Sequence, residues 1–120
     1  MKYCNKYLLT ILVSFVGFLS CSEYNKILKG SDYDLKFEKA LEYYEKNQCY
    51  RTLPLLDELM SYFRMTNKGE EVYYYYAKTQ YCMGDYYLAG YYFKRFVKNF
   101  PQSAKACLLY TSDAADDSYR

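Results

Sequence analysis

Histidine and tryptophan are absent from this 120-residue chain, and proline occurs only twice. Without histidine the chain lacks the commonest general base and metal ligand, which disfavours hydrolase and metalloenzyme chemistry. The five cysteines include no CxxC pair, so no zinc-binding pattern is present. No phosphate-binding loop occurs, and the carboxylates of Glu42 and Glu45 have no convergent partner for acid–base chemistry. We therefore expect a protein that is not an enzyme and that binds no metal.

An excess of charge of one sign is also missing. Sixteen Lys and Arg against 14 Asp and Glu leave a formal net charge of +2, which gives no electrostatic argument for nucleic-acid binding. Apolar residues make up 52% of the chain, and tyrosine alone occurs 19 times. These totals predict one small, aromatic-rich helical domain.

The N-terminus lacks an apolar run long enough for a comfortable membrane span of about 20 residues. Lys2 and Lys6 precede the apolar run Tyr7–Leu19, which is typical of a secretory signal peptide over residues 1–20. Phe18-Leu19-Ser20-Cys21 resembles a bacterial lipobox. We therefore expect Cys21 to carry a covalent lipid, the only cofactor-like group expected here, and residues 21–34 to form a polar tether. An ordinary secretory signal with a chance cysteine is the alternative.

The stretch Glu70–Pro101 reads as two amphipathic helices joined by a tight turn at Gly84-Asp85. Gly84 permits the turn, and Ala89 allows close helix packing. Tyr86 and Phe93 are expected to fill the space on either side of Ala89, and Pro101 to end the second helix. This ordered set of residues matches the tetratricopeptide (TPR) pattern.

A degenerate copy precedes this unit. Its predicted helices are Leu35–Asn47, with Glu and Lys on the face opposite the apolar residues, and Arg51–Met65, with Pro54 near its start. The predicted buried residues are Leu35, Phe37, Ala40, Leu41 and Tyr44 in the first helix and Leu53, Leu56, Leu59, Met60 and Phe63 in the second. Superposing Tyr50 on Tyr86 places Leu53 on Ala89 and gives a period of about 36 residues, close to the TPR length. The predicted fold is all-α, with TPR-like antiparallel helix pairs at 35–69 and 70–103 within 35–106, as the start of an α-solenoid.

The phrases YYEKNQCYRTLPLLDEL and YYYYAKTQYCMGDYYLAGYYFKRFVKNFPQS, together with Cys21, resemble the BamD (YfiO/ComL-type) family of outer-membrane assembly lipoproteins. The resemblance covers residues 1–106 and identifies the chain as an N-terminal fragment. It implies a lipid-anchored scaffold of the β-barrel assembly machinery on the periplasmic face of the outer membrane. The implied partners are BamA, the other subunits and unfolded outer-membrane proteins. The alternative is another periplasmic TPR lipoprotein that acts as a cell-envelope scaffold.

A candidate binding face follows from helical spacing. Glu71, Tyr74, Lys78 and Tyr81 share one side of their helix, which in a TPR lines the concave groove. Tyrosine supplies contact area and lysine supplies positive charge, so Tyr74, Lys78 and Tyr81 are candidates for binding a peptide with aromatic residues and a free carboxylate. In the resembled family, the N-terminal repeats are implicated in receiving the aromatic-ended C-terminal signal of unfolded barrel proteins. The alternative is that these tyrosines are structural.

Two further interpretations stay open. Cys49 and Cys82 could form a disulfide in an oxidising compartment, although we expect each to be a small buried apolar residue. Residues 107–120 depart from the resembled family. We expect this tail to be a non-native translation of a sequencing adapter, with a genuine divergent C-terminus as the alternative.

Overall fold

The computed structural model describes residues 2–64 and 66–109, apart from the side chains of residues 2, 4 and 14–20. These residues form helices joined by short turns, and no strand occurs among them. Five main helices follow one another: α1 (Lys2–Lys29), α2 (Tyr33–Glu45), α3 (Cys49–Tyr62), α4 (Asn67–Cys82) and α5 (Tyr86–Asn99). Each helix from α2 onward packs against the next. The predicted all-α class is confirmed, and the adjacent pairing is compatible with a helical repeat.

The turns that close the two hairpins have the same hydrogen-bond pattern. Asn47 and Gly84 both have positive φ, 58° and 84°. The next residue in each turn donates its backbone N–H across the turn, Gln48 to the Tyr43 carbonyl at 2.8 Å and Asp85 to the Gln80 carbonyl at 3.0 Å. This is the Schellman arrangement, in which a left-handed residue ends a helix. Asn47 therefore does in the first hairpin what Gly84 does in the second.

Asn47 and Gly84 lie 37 residues apart, and the same spacing continues along the chain. It relates buried residues and helix ends in both units: Ala40 and Ala77, Thr52 and Ala89, Leu59 and Phe96, Phe63 and Phe100, Thr66 and Ser103. The predicted alignment of Tyr50 with Tyr86, and of Leu53 with Ala89, is therefore wrong by one residue. Matching tyrosines by identity gives the wrong register, because the register is set by the helix caps.

The helix boundaries also differ from the prediction. Asp32 caps α2 by accepting a hydrogen bond from the Leu35 N–H at 3.1 Å, so this helix begins at Tyr33. Helix α3 begins at Cys49, which places Pro54 in its second turn rather than near its first residue. Thr66 and Asp85 cap α4 and α5 in the same manner as Asp32. Pro101 follows α5 after its C-cap Phe100, as expected of a residue that cannot continue a helix.

The core lies between α2, α3 and α4. Its buried members are Phe37, Ala40, Leu55, Leu56, Leu59, Phe63, Val72 and Tyr76. Two assignments of the sequence analysis are wrong here: Leu35 is exposed, and Leu55 is buried although it was not in the predicted stripe. Leu53 and Met60 are only partly buried. Helix α2 buries the side that carries Lys36, Phe37 and Ala40, and Leu35 is left exposed to solvent.

A charged side chain is buried where sequence analysis expected a solvated face. Lys36 is 1% exposed, and its ammonium lies 2.5 Å from Glu58 Oε2 of α3 and donates to the Leu28 carbonyl of α1 at 3.0 Å. The ammonium therefore links three helices. An amine this deeply buried is stable only when its donors are satisfied. The two contacts supply an anion and a carbonyl for that purpose.

Residues 22–29 are helical, so they do not form the predicted tether. They complete α1, and Tyr24 docks this part of the helix on the first hairpin. Its hydroxyl donates to the Arg51 carbonyl at 2.9 Å, and its ring meets the Tyr43 ring edge-on at 5.5 Å. The polar composition misled the prediction, because the docking contacts come from residues distant in sequence.

Cys49 and Cys82 form a disulfide with a Cα–Cα distance of 6.2 Å. The expectation that both are small buried thiols is wrong, and Cys82 is exposed. The bond joins the first residue of α3 to the last residue of α4, so it links the two hairpins beside their turns.

Replacing Cys49 and Cys82 by serine should lower the free energy of unfolding. The bridged residues are 33 positions apart. Losing a loop closure of that length should cost about 4 kcal/mol, because the unfolded chain regains conformational entropy. Urea unfolding followed by circular dichroism measures the change. Cys107→Ser is the matched control, since Cys107 is an exposed cysteine outside the Cys49–Cys82 disulfide. Equal stability of the double variant and the parent would contradict a stabilising disulfide.

Glu58→Gln should lower the free energy of unfolding by about 2 kcal/mol, because the buried Lys36 ammonium loses its anion. Lys36→Met should cost less, since it removes the charge that needs a partner. Thermal or urea unfolding of both variants tests the order. Glu42→Gln is the control: Glu42 pairs with Lys39 and Lys46 on the surface, where such pairs contribute little. If Glu58→Gln behaves like Glu42→Gln, the ammonium does not depend on Glu58.

Candidate functional site

A small pocket opens between α2, α4 and α5. It has a volume of about 260 Å³ and is lined by Tyr44, Tyr74, Lys78, Tyr81 and Phe93. The three candidate residues from the sequence analysis, Tyr74, Lys78 and Tyr81, thus lie in one concavity. Glu71, which shares their helical spacing, does not line it.

Helix α4 holds these residues by burying its opposite side. Its buried residues are Gly69, Val72, Tyr76, Ala77, Thr79 and Gln80. Tyr76 donates its hydroxyl to Asp57 Oδ1 of α3 at 3.3 Å, and burial raises the pKa of Tyr76. The phenol therefore stays protonated and remains a donor. These contacts fix the rotation of α4, and this rotation points Tyr74, Lys78 and Tyr81 into the pocket.

The Lys78 ammonium lies among aromatic rings. It is 5.1 Å from the centre of the Tyr44 ring, 5.4 Å from Tyr74 and 5.3 Å from Tyr75. No ion pair involves Lys78 within residues 2–64 and 66–109. Cations at such distances are attracted to the ring faces, which holds the side chain in place without neutralising it. The pocket therefore offers the positive charge of Lys78, enclosed by aromatic surface.

Two lining residues were not predicted as part of this site. Tyr44 belongs to α2, and burial raises its pKa. Its counterpart at the 37-residue spacing is Tyr81, so a correctly registered alignment would have identified it. Phe93 was predicted only as a structural residue, but it meets Tyr74 at 6.2 Å and closes one side of the pocket. Lys105 adds a second ammonium at 5.1 Å from the Tyr74 ring.

The other repeat-defining residues have different surroundings. Gly84 occupies the turn with positive φ, and Ala89 is buried at the crossing of α5, as expected. Tyr86 does not fill the space beside Ala89. It is exposed and stacks edge-on against Tyr81 at 5.0 Å. Tyr86 is the first residue of α5, and at this position its side chain points away from the core.

Cys21, the proposed lipidation site, is exposed on α1 and is not in a disulfide. The side chains of Phe18, Leu19 and Ser20, which carry the rest of the lipobox pattern, lie outside the described part of the structure. No helix among the described residues has both the length and the apolar character needed to cross a membrane. Most of the expected tail, residues 110–120, also lies outside the described part. Residues 104–109 form a short helix that begins after Ser103.

A larger cleft lies on another side of the second hairpin, between α3, α4 and α5. It has a volume of about 610 Å³ and is lined by Met60, Ser61, Arg64, Gly69, Tyr73, Tyr92, Arg95, Asn99 and Phe100. Arg95 donates to the Tyr91 hydroxyl at 3.0 Å, and this hydrogen bond raises the pKa of Arg95. The sequence analysis did not identify this cleft, because its residues come from three separate helices.

The described residues bring no three His, Cys, Asp or Glu side chains together in a way that could hold a metal ion. No protein-family model, curated protein or solved structure matches the chain.

Proposed function

We propose that this chain belongs to a lipid-anchored TPR-like scaffold that binds extended segments of other proteins in the Tyr44–Lys78–Tyr81 pocket. The observation that carries the proposal is an unneutralised ammonium, Lys78, enclosed by tyrosine rings within one pocket. The 37-residue repetition of turns and caps supports the TPR-like interpretation, because repeat proteins commonly bind partners on the surface that their stacked units share.

The pocket favours a peptide with an aromatic residue and a nearby carboxylate. An aromatic side chain can meet the rings of Tyr44, Tyr74 and Phe93 edge-on, a geometry that tyrosine and phenylalanine pairs prefer. A carboxylate can pair with Lys78, which lacks another anion in the described residues. A volume of about 260 Å³ suits a side chain or two rather than a folded domain. A peptide C-terminus with an aromatic last residue has both groups close together.

This chemistry agrees with the role that the resemblance to the BamD family implies. We propose that the ligands are the aromatic C-terminal segments of unfolded outer-membrane proteins, and that BamA and the other subunits of the assembly machinery are the stable partners. The proposed location is the periplasmic face of the outer membrane. Signal-peptide removal before Cys21 and acylation of its thiol would anchor the protein, since roughly 0.8 kcal/mol is gained per buried CH₂.

Peptide binding should depend on the pocket residues. We expect Lys78→Ala to weaken binding of a peptide with a C-terminal phenylalanine by about tenfold, since a charge-assisted contact is lost. Amidating the peptide C-terminus should weaken binding to the parent to a similar degree and should have little further effect on Lys78→Ala. Isothermal titration calorimetry with the full chain measures each affinity.

Lys98→Ala is the control, because Lys98 is an exposed residue at the end of α5 and does not line the pocket. If Lys78→Ala binds the peptide as tightly as the parent does, Lys78 does not bind the carboxylate.

Cys21→Ser should remove the membrane anchor. We expect the parent to fractionate with outer membranes and to show the added mass of lipid on Cys21, and the variant to be found in the periplasmic fraction. Cys107→Ser is the matched control, because it removes another exposed cysteine of the described chain. An unmodified Cys21, or a variant that stays with the membrane as the parent does, would refute lipidation at this residue.

A further inference from the structure

The end of the hairpins that carries both turns is rich in exposed aromatic side chains. We call this surface the turn end and define it by the turn residues 46–48 and 83–85 and the helix residues beside them. Its exposed large side chains are Tyr50, Tyr81, Met83, Tyr86 and Tyr87, and Tyr87 is 87% exposed. Because these side chains are exposed, packing in the protein core does not explain why so many of them lie at one end. An exposed aromatic cluster of this kind commonly marks an interaction surface.

Helix α1 begins its contact with the hairpin at the same end. Tyr24 contacts Tyr43 and Arg51, which lie beside the first turn, whereas Leu28 contacts Lys36 at the start of α2. The docked part of α1 therefore runs antiparallel to α2, away from the turn end. Cys21 precedes Tyr24 by one helical turn, which is about 4.5 Å along the axis. This places Cys21 level with the turns.

The rest of α1 extends from the turn end in the opposite direction to its docked residues. Most of its described side chains there are apolar and exposed, including Leu8, Leu9, Ile11, Leu12 and Val13. Before the signal peptide is removed, these apolar residues extend from the turn end. After its removal, the proposed lipid on Cys21 extends from the same end. In both states the group that prefers a lipid phase is at the same place on the domain.

Charges of both signs lie at the turn end, and most of them have a partner. Lys46 pairs with Glu42 at 2.6 Å, and the Asp85 carboxylate accepts a hydrogen bond from the Leu88 N–H at 3.0 Å. The negative charge of Glu45 is offset by the positive charge of Arg51. Tyrosine has an apolar ring and a polar hydroxyl, and it is enriched where a membrane meets water. A surface of tyrosines with little net charge suits the headgroup layer better than it suits a charged partner.

We propose that the turn end rests in the headgroup layer of a lipid bilayer, with Tyr50, Tyr86 and Tyr87 inserted and the domain held in a fixed orientation by α1. This inference depends on the proposed lipid at Cys21 for the natural anchor. Docking by Tyr24 and Lys36 makes the orientation fixed, since a flexible tether would let any face meet the membrane. Aromatic contacts rather than charge hold the turn end at the bilayer. Zwitterionic lipids without net charge are therefore sufficient for this contact, and added salt has little effect on it.

The chain contains no tryptophan, so a single introduced tryptophan reports on one position. Tyr50 and Tyr62 form a matched pair, because they lie at opposite ends of α3 with exposed fractions of 60% and 56%. They are separated by about 18 Å of helix. The experiment compares Tyr50→Trp with Tyr62→Trp in the full chain, attached to phosphatidylcholine vesicles that contain headgroup-nitroxide lipid.

Attachment uses Cys21 and a maleimide lipid, in a background with Cys4→Ser and Cys107→Ser, so the result does not require natural lipidation. We expect the nitroxide to quench most of the Tyr50→Trp fluorescence and little of the Tyr62→Trp fluorescence. Adding Tyr24→Ala should remove this difference by undocking α1. Equal quenching at both positions, or stronger quenching of Tyr62→Trp, would overturn the proposed orientation. Failure of the natural anchor would be seen separately, as an unmodified Cys21 in cells.

Discussion

Each helical hairpin is closed by one residue with positive φ, Asn47 in the first and Gly84 in the second. A left-handed residue reverses the chain within a few residues, and the N–H that follows it satisfies a carbonyl that the helix end leaves free. Because both turns have this geometry, α3 and α5 leave them in equivalent directions, and the two hairpins can stack. The stacking brings Cys49 next to Cys82 and places Tyr44 and Tyr81 in the lining of one pocket. The disulfide and the pocket are thus both consequences of the repeated turn.

The docking of α1 depends on a different kind of interaction. Lys36 is buried because a carboxylate from α3 and a carbonyl from α1 reach its ammonium at the same place. A buried charge of this type adds specificity of position more readily than it adds net stability. In this protein the position that it specifies is the direction of α1 relative to the first hairpin. That direction decides which end of the domain is nearest to Cys21, and so which surface would face a membrane.

Much of the fold could be predicted from local sequence. Gly84-Asp85 indicated the second turn because glycine tolerates positive φ and aspartate caps helices, and the apolar spacing indicated the helices. The register of the first unit could not be predicted by matching tyrosines, since Asn47 and Thr52 take the places of Gly84 and Ala89 without resembling them. The burial of Lys36 and the docking of Tyr24 depend on residues 22 and 27 positions away. Composition cannot show such contacts, so residues 22–29 were predicted to be a tether.

The candidate site could be predicted only in part, because some of its residues share one helix and the others come from neighbouring helices. Tyr74, Lys78 and Tyr81 share a face of one helix, which spacing alone reveals. Tyr44 and Phe93 come from neighbouring helices, and only the packing shows that they complete the pocket.

Binding of a peptide with an aromatic C-terminus in this pocket can be followed by nuclear magnetic resonance shift mapping of the labelled chain during a peptide titration. We expect the largest shifts on Tyr44, Tyr74, Lys78, Tyr81 and Phe93. Largest shifts around Arg64 and Arg95, in the cleft on the other side of the hairpin, would contradict it.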